Sequence, residues 1–314
     1  MATLDRLQRQ LASLGELRDI VRTMKALSAA NIRQYEEAVE ALTGYYRTVE
    51  RGLQVVLRER RGEQKPPARR TPAAAVAAVV FGSDHGLCGR FNETVTAHAL
   101  THRETVASNP ASRQLLAVGA RAAASLAAAD QTVTASCPLP GSAAQITAAV
   151  QRILVQLDRW RADDRAHRVY LYYNRPNPGQ GYRPVAVELL PVNVAHLART
   201  APTAWPSRSL PTFSMDREAL LSRLLYQYLF VTVFRACAES QAGEHASRLA
   251  AMQAAERNLD GRLGELTTDF RRARQGAITA ELLDVVAGYE AITGGRRHGK
   301  RRQPQQTPPG TGRP

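Results

Sequence analysis

Two long stretches of the chain show the spacing of apolar residues that is typical of helices packed along one another. The stretch 214–292 contains no proline, the residue that removes a helical hydrogen bond and clashes with the preceding turn. Its second half carries a seam at Leu249, Met252, Leu259, Leu263, Leu266, Phe270, Ala273 and Ala277, with Glu256 as the one polar seam position. This heptad spacing predicts a helix that winds against a second helix rather than onto a globular core.

The second helix is predicted at the N-terminus, over residues 1–61. No proline occurs before Pro66, and apolar residues recur at alternating intervals of three and four from Ile32 to Val56. The two stretches therefore predict a coiled coil. Periodicity alone also allows two amphipathic helices in an ordinary bundle, but an average globular helix has only about 11 residues, and the length of both stretches favours the coiled coil.

Residues 73–210, between the two helices, have the pattern of a small α/β domain. A basic linker with prolines, 58–72, precedes it. We predict strands at 73–81, 114–118, 168–173 and 185–190, helices at 91–103, 121–129 and 143–160, and a Pro- and Gly-rich turn at 174–182. Alternating strands and helices predict a layered α/β fold inserted between the two long helices.

The last stretch, 293–314, has six Lys or Arg residues, no acidic residue and no large apolar side chain. Such a composition buries too little surface to offset the entropy lost on ordering, so we predict a disordered basic tail.

Composition narrows the classes of protein. The 42 basic residues against 28 acidic ones give a net charge of +14, so we expect an acidic partner or surface, for which nucleic acid is only a weak default. The three cysteines are too scattered for a disulfide framework or a zinc site, and they favour a reducing compartment. We expect no signal peptide, and no apolar run reaches the length of about 20 residues that a membrane span needs.

One loop has residues that suggest chemistry. Gly82, Gly86 and Gly89 follow a predicted strand and precede a predicted helix, which is where phosphates bind. Their intervals of four and three match neither a dinucleotide-binding loop nor a P-loop, and the P-loop lysine is absent. His85 and Cys88 allow a hydrolase-like arrangement, but a structural turn is the favoured interpretation, and we expect no catalytic, cofactor-binding or metal-binding residues.

The basic residues of the C-terminal half admit two interpretations. Arg271, Arg272 and Arg274 lie on successive faces of the predicted helix and fit a solvated surface. The basic tail allows binding of nucleic acid or anionic lipid by charge, although no aromatic residues alternate with its basic ones to stack on bases. A stand-alone coiled-coil protein that binds nucleic acid or anionic membrane is therefore the alternative function.

Four segments resemble motifs of one known family, the gamma subunits of F-type ATP synthases. They are residues 20–30 (IVRTMKALSAA), 83–92 (SDHGLCGRFN), 244–252 (EHASRLAAM) and 270–284 (FRRARQGAITAELLD). They are similar in order and spacing to the family's KITKAMKMVAA, SDRGLCGGLN, SEHAARMMAM and YNRARQAAITKEIIEI. Arg90 replaces a glycine of the family motif, and this and other departures suggest the divergent N-type bacterial form.

The resemblance implies a fold and a mechanism. The two terminal helices would form an antiparallel coiled coil inside a hexamer of alpha and beta subunits, and the inserted Rossmann-like α/β domain would form a foot on the membrane c ring beside the epsilon subunit. A single copy would rotate and couple ion flow to ATP synthesis or hydrolysis at the beta subunits, without catalysis, a cofactor or nucleic acid of its own. The complex would lie peripherally on the cytoplasmic side of the bacterial inner membrane.

The resemblance also implies contact residues. Arg274 and Gln275 would contact the catch loop of beta, and Met24 and Lys25 would face its acidic lever. His85 stands where the family has arginine or lysine, so the charge at that contact would depend on pH. Family members end close to Ile292, and we therefore expect the basic tail to contact the crown of the hexamer and to add drag or inhibition.

Overall fold

The computed structural model describes residues 2–58, 75–106, 113–177, 181–192 and 212–298. In chain order these contain helix α1 (Ala2–Arg58), strand β1 (Val76–Phe81), α2 (Phe91–Val106), β2 (Arg113–Val118), α3 (Ala120–Ala128), β3 (Ala135–Cys137), a 3₁₀ turn (Ala143–Gln145), α4 (Ile146–Ala162), β4 (Arg168–Asn177), β5 (Gly181–Leu190) and α5 (Arg217–His298). Of the described residues, those within 21–255 form one compact unit, and 2–20 with 256–298 form another.

Both predicted terminal helices are present, with 57 residues in α1 and 82 in α5. Helix α5 begins after Asp216, whose carboxylate accepts a hydrogen bond from the Ala219 N–H at 3.0 Å and so caps the first turn. The helix continues to His298, and the first six residues of the predicted disordered tail are therefore helical. No proline occurs between the start of α5 and Pro304 to end the helix earlier. Residues 299–314 lie outside the described part of the chain.

Within the unit of residues 21–255, α1 and α5 run antiparallel. The Tyr35 ring stacks on His245 with ring centroids 5.6 Å apart, and the Tyr45 hydroxyl donates to Gln227 Oε1 at 2.9 Å. A residue further along α1 thus contacts a residue earlier in α5, as in an antiparallel pair. The last turns of α1 pack on the first turns of α5 through an apolar cluster of Val49, Leu53, Val56, Leu57 and Leu221.

Within the other unit, the predicted seam residues are less exposed than their helical neighbours. Leu266 is buried, and Leu259, Leu263, Phe270 and Ala273 are half-buried between exposed positions. Ala277, the last predicted seam residue, is exposed, so protection of the seam ends one heptad step earlier than the sequence predicts. An ion pair between Arg18 Nη1 and Asp260 Oδ1, 3.9 Å apart, joins α1 to α5 in this unit.

The α/β domain is built on a five-stranded sheet in the order β3-β2-β1-β4-β5. The first four strands are parallel and β5 is antiparallel to β4. One face of the sheet packs on α4 and also on residues of α1 and α5, including Tyr35, Val233 and Cys237. The other face packs on α2 and α3. Because β1 is central and covered on both faces, all six of its residues are buried, as expected of a parallel strand.

Three details of the domain differ from the sequence-based expectation. Most of the predicted turn at 174–182 is strand, because β4 extends to Asn177 and β5 starts at Gly181. Prolines are tolerated there because β5 is an edge strand and the ladder of β1 with β4 ends at Tyr172. Strand β3 was not predicted, and the helix expected from residue 143 begins with a 3₁₀ turn. Among the described helices, none is long and apolar enough to cross a membrane.

We expect Gly243→Ala in α5 to destabilise the protein by about 1–3 kcal/mol, since it overpacks a tight contact. A Cβ at Gly243 would lie 2.9 Å from the Asn174 carbonyl oxygen and 3.5 Å from Phe91 Cε2. Gly44→Ala in α1 is the matched control. Nothing lies within 4 Å of a Cβ there, so it should stabilise by up to about 1 kcal/mol through helix propensity. Urea denaturation checks both, and equal midpoint shifts for the two variants would contradict the predicted contact.

Candidate functional site

The loop after β1, residues 82–90, is tied to the first turn of α2 through Ser83. The Ser83 N–H donates to Asn92 Oδ1 at 2.9 Å, and the Asn92 amide donates to Ser83 Oγ at 2.8 Å. The Ser83 hydroxyl in turn donates to the His85 carbonyl at 2.8 Å. Only glycine fits at position 82, because a Cβ would lie 2.5 Å from Asn92 Oδ1 and 2.6 Å from Ala122 Cβ.

Asp84 fixes the other side of the loop. Its two carboxylate oxygens accept backbone N–H groups of Ala120, at 2.8 Å, and Leu139, at 3.0 Å. The Ala120 N–H belongs to the first residue of α3, where a negative charge is favoured by the exposed N–H groups and the helix dipole. The carboxylate therefore joins the loop to the start of α3 and to the segment after β3.

His85 and Cys88 do not form a nucleophile and base. The His85 side chain is exposed, and it is the His85 carbonyl that takes part in the loop contacts. Cys88 is buried, and burial raises the pKa of its thiol, which keeps the sulfur protonated and a poor nucleophile. The described residues also contain no group of His, Cys, Asp and Glu suited to hold a metal ion.

Helix α5 is joined to this loop by hydrogen bonds from Arg248, which also forms a buried ion pair within the helix, and from Ser247. Arg248 Nη2 donates to Glu244 Oε1 at 2.6 Å, and it also lies 3.4 Å from the His85 carbonyl and 3.3 Å from that of Gly86. The Ser247 hydroxyl adds a bond of 2.6 Å to the Cys88 carbonyl. One guanidinium thus bridges a carboxylate of its own helix and two carbonyls of the loop. We call residues 82–90 together with Glu244, Ser247 and Arg248 the loop–helix junction.

Burial also shifts the pKa of Glu244 in the junction and of His245 beside it. Burial raises the pKa of Glu244 to about 7, although the charge and hydrogen bond of Arg248 oppose the shift. Burial also lowers the pKa of His245 to about 4, with a further contribution from the charge of Arg248. His245 is therefore neutral near pH 7, which suits its stacking on Tyr35 of α1.

A second ionic cluster joins α5 to β4. Glu239 accepts from Arg175 Nε at 2.8 Å and from Arg235 Nε at 2.7 Å, and only 9% of its side chain is exposed. Arg175 also donates to the Tyr173 hydroxyl at 2.6 Å. The α/β domain and α5 are therefore joined at two places by charge-assisted hydrogen bonds, which are roughly twice as strong as neutral ones.

The residues with predicted partner contacts fall in both units. Met24 and Lys25 are consecutive, half-buried residues of α1, and His85 is exposed in the same unit. Arg274 and Gln275 are consecutive, exposed residues of α5 in the other unit. Their roles stay predictions. Sequence reasoning missed the Glu244–Arg248 and Glu239–Arg175 pairs, for which the only local signal was the four-residue spacing of Glu244 and Arg248.

The end of α5 is apolar and exposed. The exposed fractions of its large apolar residues run from 50% to 68%: Ile278, Leu282, Leu283, Val285, Val286 and Tyr289. Five of them recur at helical intervals of three and four, which places them along one side of the helix. We call residues 278–289 the apolar end of α5. An exposed apolar surface of this kind marks an interaction site.

We expect Glu244→Gln to change how stability depends on pH. The raised pKa means that folded Glu244 keeps its proton up to about pH 7, whereas the unfolded chain loses it near the ordinary value of 4.5. Through Glu244 the free energy of unfolding therefore falls as pH rises from about 4.5 to 7 and is level above. Glutamine has no such proton, so the stability of the variant relative to wild type should rise across this window.

Urea denaturation of both proteins from pH 4.5 to 8 measures this difference. The opposite contribution of His245, whose lowered pKa makes stability rise with pH, is common to both proteins and cancels. Parallel pH profiles would show that Glu244 is not the titrating group.

Comparison with known proteins identifies the family. The family model for ATP synthase matches residues 3–292. The chain is 31% identical to the ATP synthase gamma chain of Desulforamulus reducens, over 93% of this chain and 100% of the relative. It is 30% identical to that of Granulibacter bethesdensis, again over 93% and 100%.

Solved structures share the fold. The chain matches one from the Euglena gracilis mitochondrial ATP synthase (OSCP/F1/c-ring) with a TM-score of 0.59 at 17% identity, over 98% of this chain and 99% of the other. It matches one from the Tetrahymena thermophila mitochondrial ATP synthase central stalk/c-ring with a TM-score of 0.53 at 20% identity, over 75% and 99%. Long terminal helices around a mixed α/β domain, the polar loop–helix junction and the relatives along almost its whole length together show that the chain belongs to the family of ATP synthase gamma chains.

Proposed function

We propose that the chain is the central rotor shaft of an F-type ATP synthase, which couples ion flow through the membrane c ring to ATP synthesis or hydrolysis at the beta subunits. The observation that carries this proposal, beside the family, is the apolar end of α5. Six large apolar side chains there are at least half exposed, which is costly in water and expected of a surface that other subunits enclose.

The two terminal helices, α1 and α5, act as an antiparallel coiled coil that transmits torque. The α/β domain, residues 73–210, is Rossmann-like and acts as the foot on the c ring, beside the epsilon subunit. The antiparallel contacts of α1 with α5 and the half-buried heptad positions support this division. The tail, 293–314, reaches the crown of the hexamer and adds drag or inhibition.

The loop–helix junction has a mechanical role in this proposal. Torque passes from the foot to the shaft only if the sheet cannot turn relative to α5. The hydrogen bonds from Arg248 to the loop carbonyls and the ion pair of Arg175 with Glu239 resist that motion, because they join the α/β domain directly to α5. The chain itself performs no bond chemistry, and catalysis belongs to the beta subunits.

The basic surface of the shaft contacts the beta subunits. Arg274 and Gln275 meet the catch loop, Met24 and Lys25 face the acidic lever, and His85 makes a further contact. Exposed ion pairs are worth only about 0–1 kcal/mol each, so contacts of this kind form and break as the shaft turns. The acidic partner expected from the net charge of +14 is then the hexamer rather than nucleic acid.

The complex lies peripherally on the cytoplasmic side of the bacterial inner membrane, with one copy of this chain per three alpha–beta pairs. The stand-alone coiled-coil alternative gains no support from the family match, which covers residues 3–292 and leaves unmatched only residues 1–2 and the basic tail.

Co-expression of the tagged chain with alpha and beta subunits tests the proposed function. We expect one copy per three alpha–beta pairs and ATPase activity that depends on the chain. Leu282→Ser with Val286→Ser should impair assembly without lowering the stability of the isolated chain, because both side chains are exposed. Recovery of the wild-type chain alone, or with nucleic acid and no ATPase partner, would refute the rotor.

We expect Arg274→Ala with Gln275→Ala to slow ATP hydrolysis by the assembled complex by about fivefold, since an exposed charged contact contributes up to about 1 kcal/mol. The matched control is Arg262→Ala, also exposed on α5 and paired with Glu265 of the same helix at 2.7 Å, which should change the rate less than twofold. Steady-state ATPase assays with subunit ratios checked by gel measure both. Equal rates for the two variants would refute the proposed catch-loop contact.

A further inference from the structure

A groove with a volume of about 540 Å³ lies between α4 and strand β3. Strand β3 is at one edge of the sheet, since its only neighbour in the described sheet is β2. The three residues of β3 form one wall, and the other comes from α4, including Arg152, Val155 and Arg159. The groove lies outside the loop–helix junction, and no contact of the junction uses its arginines.

The free edge of β3 offers backbone hydrogen bonds. The Cys137 carbonyl accepts the Gly119 N–H at 2.9 Å, which shows that the backbone groups of Cys137 face β2. Backbone groups of successive strand residues point to opposite sides, so the N–H and C=O of Ser136 point away from the sheet. Ser136 is also exposed. Outward backbone groups at a sheet edge can pair with another strand, and this short edge offers those of Ser136.

The α4 wall of the groove is basic. Ala148, Arg152, Val155 and Arg159 recur at intervals of four, three and four, which places them on one stripe of the helix. This stripe is separate from the buried core-facing residues of α4, and Val155 on it is 51% exposed. No acidic side chain lines the groove.

One acid beside the groove, Asp84, does not line it. Burial raises the pKa of the Cys137 thiol and the charge of Asp84 adds to this shift, while the carboxylate oxygens of Asp84 accept backbone N–H groups of Ala120 and Leu139. The charge of Arg152 acts on the same thiol in the opposite direction, which places Arg152 close to the edge strand. The groove therefore combines an open backbone edge, an exposed apolar side chain and two arginines.

We propose that this groove binds an extended acidic segment of a partner polypeptide, which adds to β3 as a further strand of the sheet. Its backbone pairs with Ser136, its carboxylates meet Arg152 and Arg159, and its apolar side chains cover Val155. Strand addition supplies affinity through the main chain and specificity through the side chains beside it. The basic segments of this chain do not fit a basic groove. The proposal is independent of the rotor function.

A fluorescein-labelled peptide of alternating Glu and Val, titrated with the full-length chain at 150 mM salt, tests the proposal by fluorescence anisotropy. We expect saturable binding that Arg152→Glu weakens about tenfold or more, since a charge-assisted contact becomes repulsive. Arg161→Glu makes the same charge change on α4 outside the groove and should alter binding less than twofold. A peptide of alternating Lys and Val should not bind.

Two further measurements separate strand addition from charge attraction alone. Ser136→Pro removes the outward N–H of the edge strand, a position where proline is tolerated, and should weaken binding. The same Glu and Val peptide with N-methylated backbone amides keeps its charge but loses its donors, and it should bind at least about tenfold more weakly. Because this test alters only the peptide, it does not depend on how a variant folds.

Three results would overturn the proposal. The first is absence of binding by the Glu and Val peptide. The second is an equal loss with Arg152→Glu and Arg161→Glu, which would mean attraction to the overall charge of +14. The third is unchanged binding of the N-methylated peptide, which would mean that no strand is added.

Discussion

The structure of the larger unit depends on one buried guanidinium, that of Arg248. It lies between Glu244 of its own helix and the carbonyls of His85 and Gly86 in the loop, and the side chains of Arg248 and Glu244 are only 9% and 5% exposed. A buried charge is tolerated only when its hydrogen bonds are made, because desolvation otherwise outweighs the Coulombic attraction. The loop carbonyls must therefore stay in place to satisfy the guanidinium, and the guanidinium must stay in place to hold α5 against the loop.

The α/β domain buries its apolar residues within itself, whereas the terminal helices leave part of their apolar surface exposed. The domain buries both faces of its sheet, and the central strand β1 has no exposed residue. The described seam of α5 beyond residue 255 is mostly half-buried, and the apolar end of α5 is exposed. A domain of the first kind is stable through its own core, whereas an apolar helical surface in water requires other subunits. This contrast fits a central-stalk subunit whose apolar helix surface is covered by its partners.

Much of the fold followed from the sequence because periodicity is a local property. The heptads predicted α1 and α5, and alternating apolar runs predicted four of the five strands. Strand β3 was not predicted because its three residues at the sheet edge form too short a pattern to recognise. The β4–β5 pair was predicted too short because Pro176 indicates a turn in sequence, although the part of β4 beyond Tyr172 is not paired with β1 and therefore accepts a proline.

The candidate site was less predictable for a physical reason. The four-residue spacing of Glu244 and Arg248 is visible in the sequence, but the bond from Arg248 to His85 joins residues 163 positions apart, and no local pattern reports such a contact. Resemblance to the family supplied Arg274, Gln275, Met24 and Lys25, whose proposed roles involve surfaces of other subunits. Their positions on α1 and α5 agree with an accessible or half-accessible helix surface, and their contacts require the assembled complex.

Rotation of the chain within an assembled complex tests the central claim most directly. The complex of full-length chain, alpha and beta subunits would be fixed to a surface through beta, with a gold bead attached through Asp163→Cys, an exposed position of the α/β domain. The account predicts that ATP drives the bead in one direction with a threefold stepping pattern, because three alpha–beta pairs surround the shaft. A bead that stays still while the same complexes hydrolyse ATP would contradict the account.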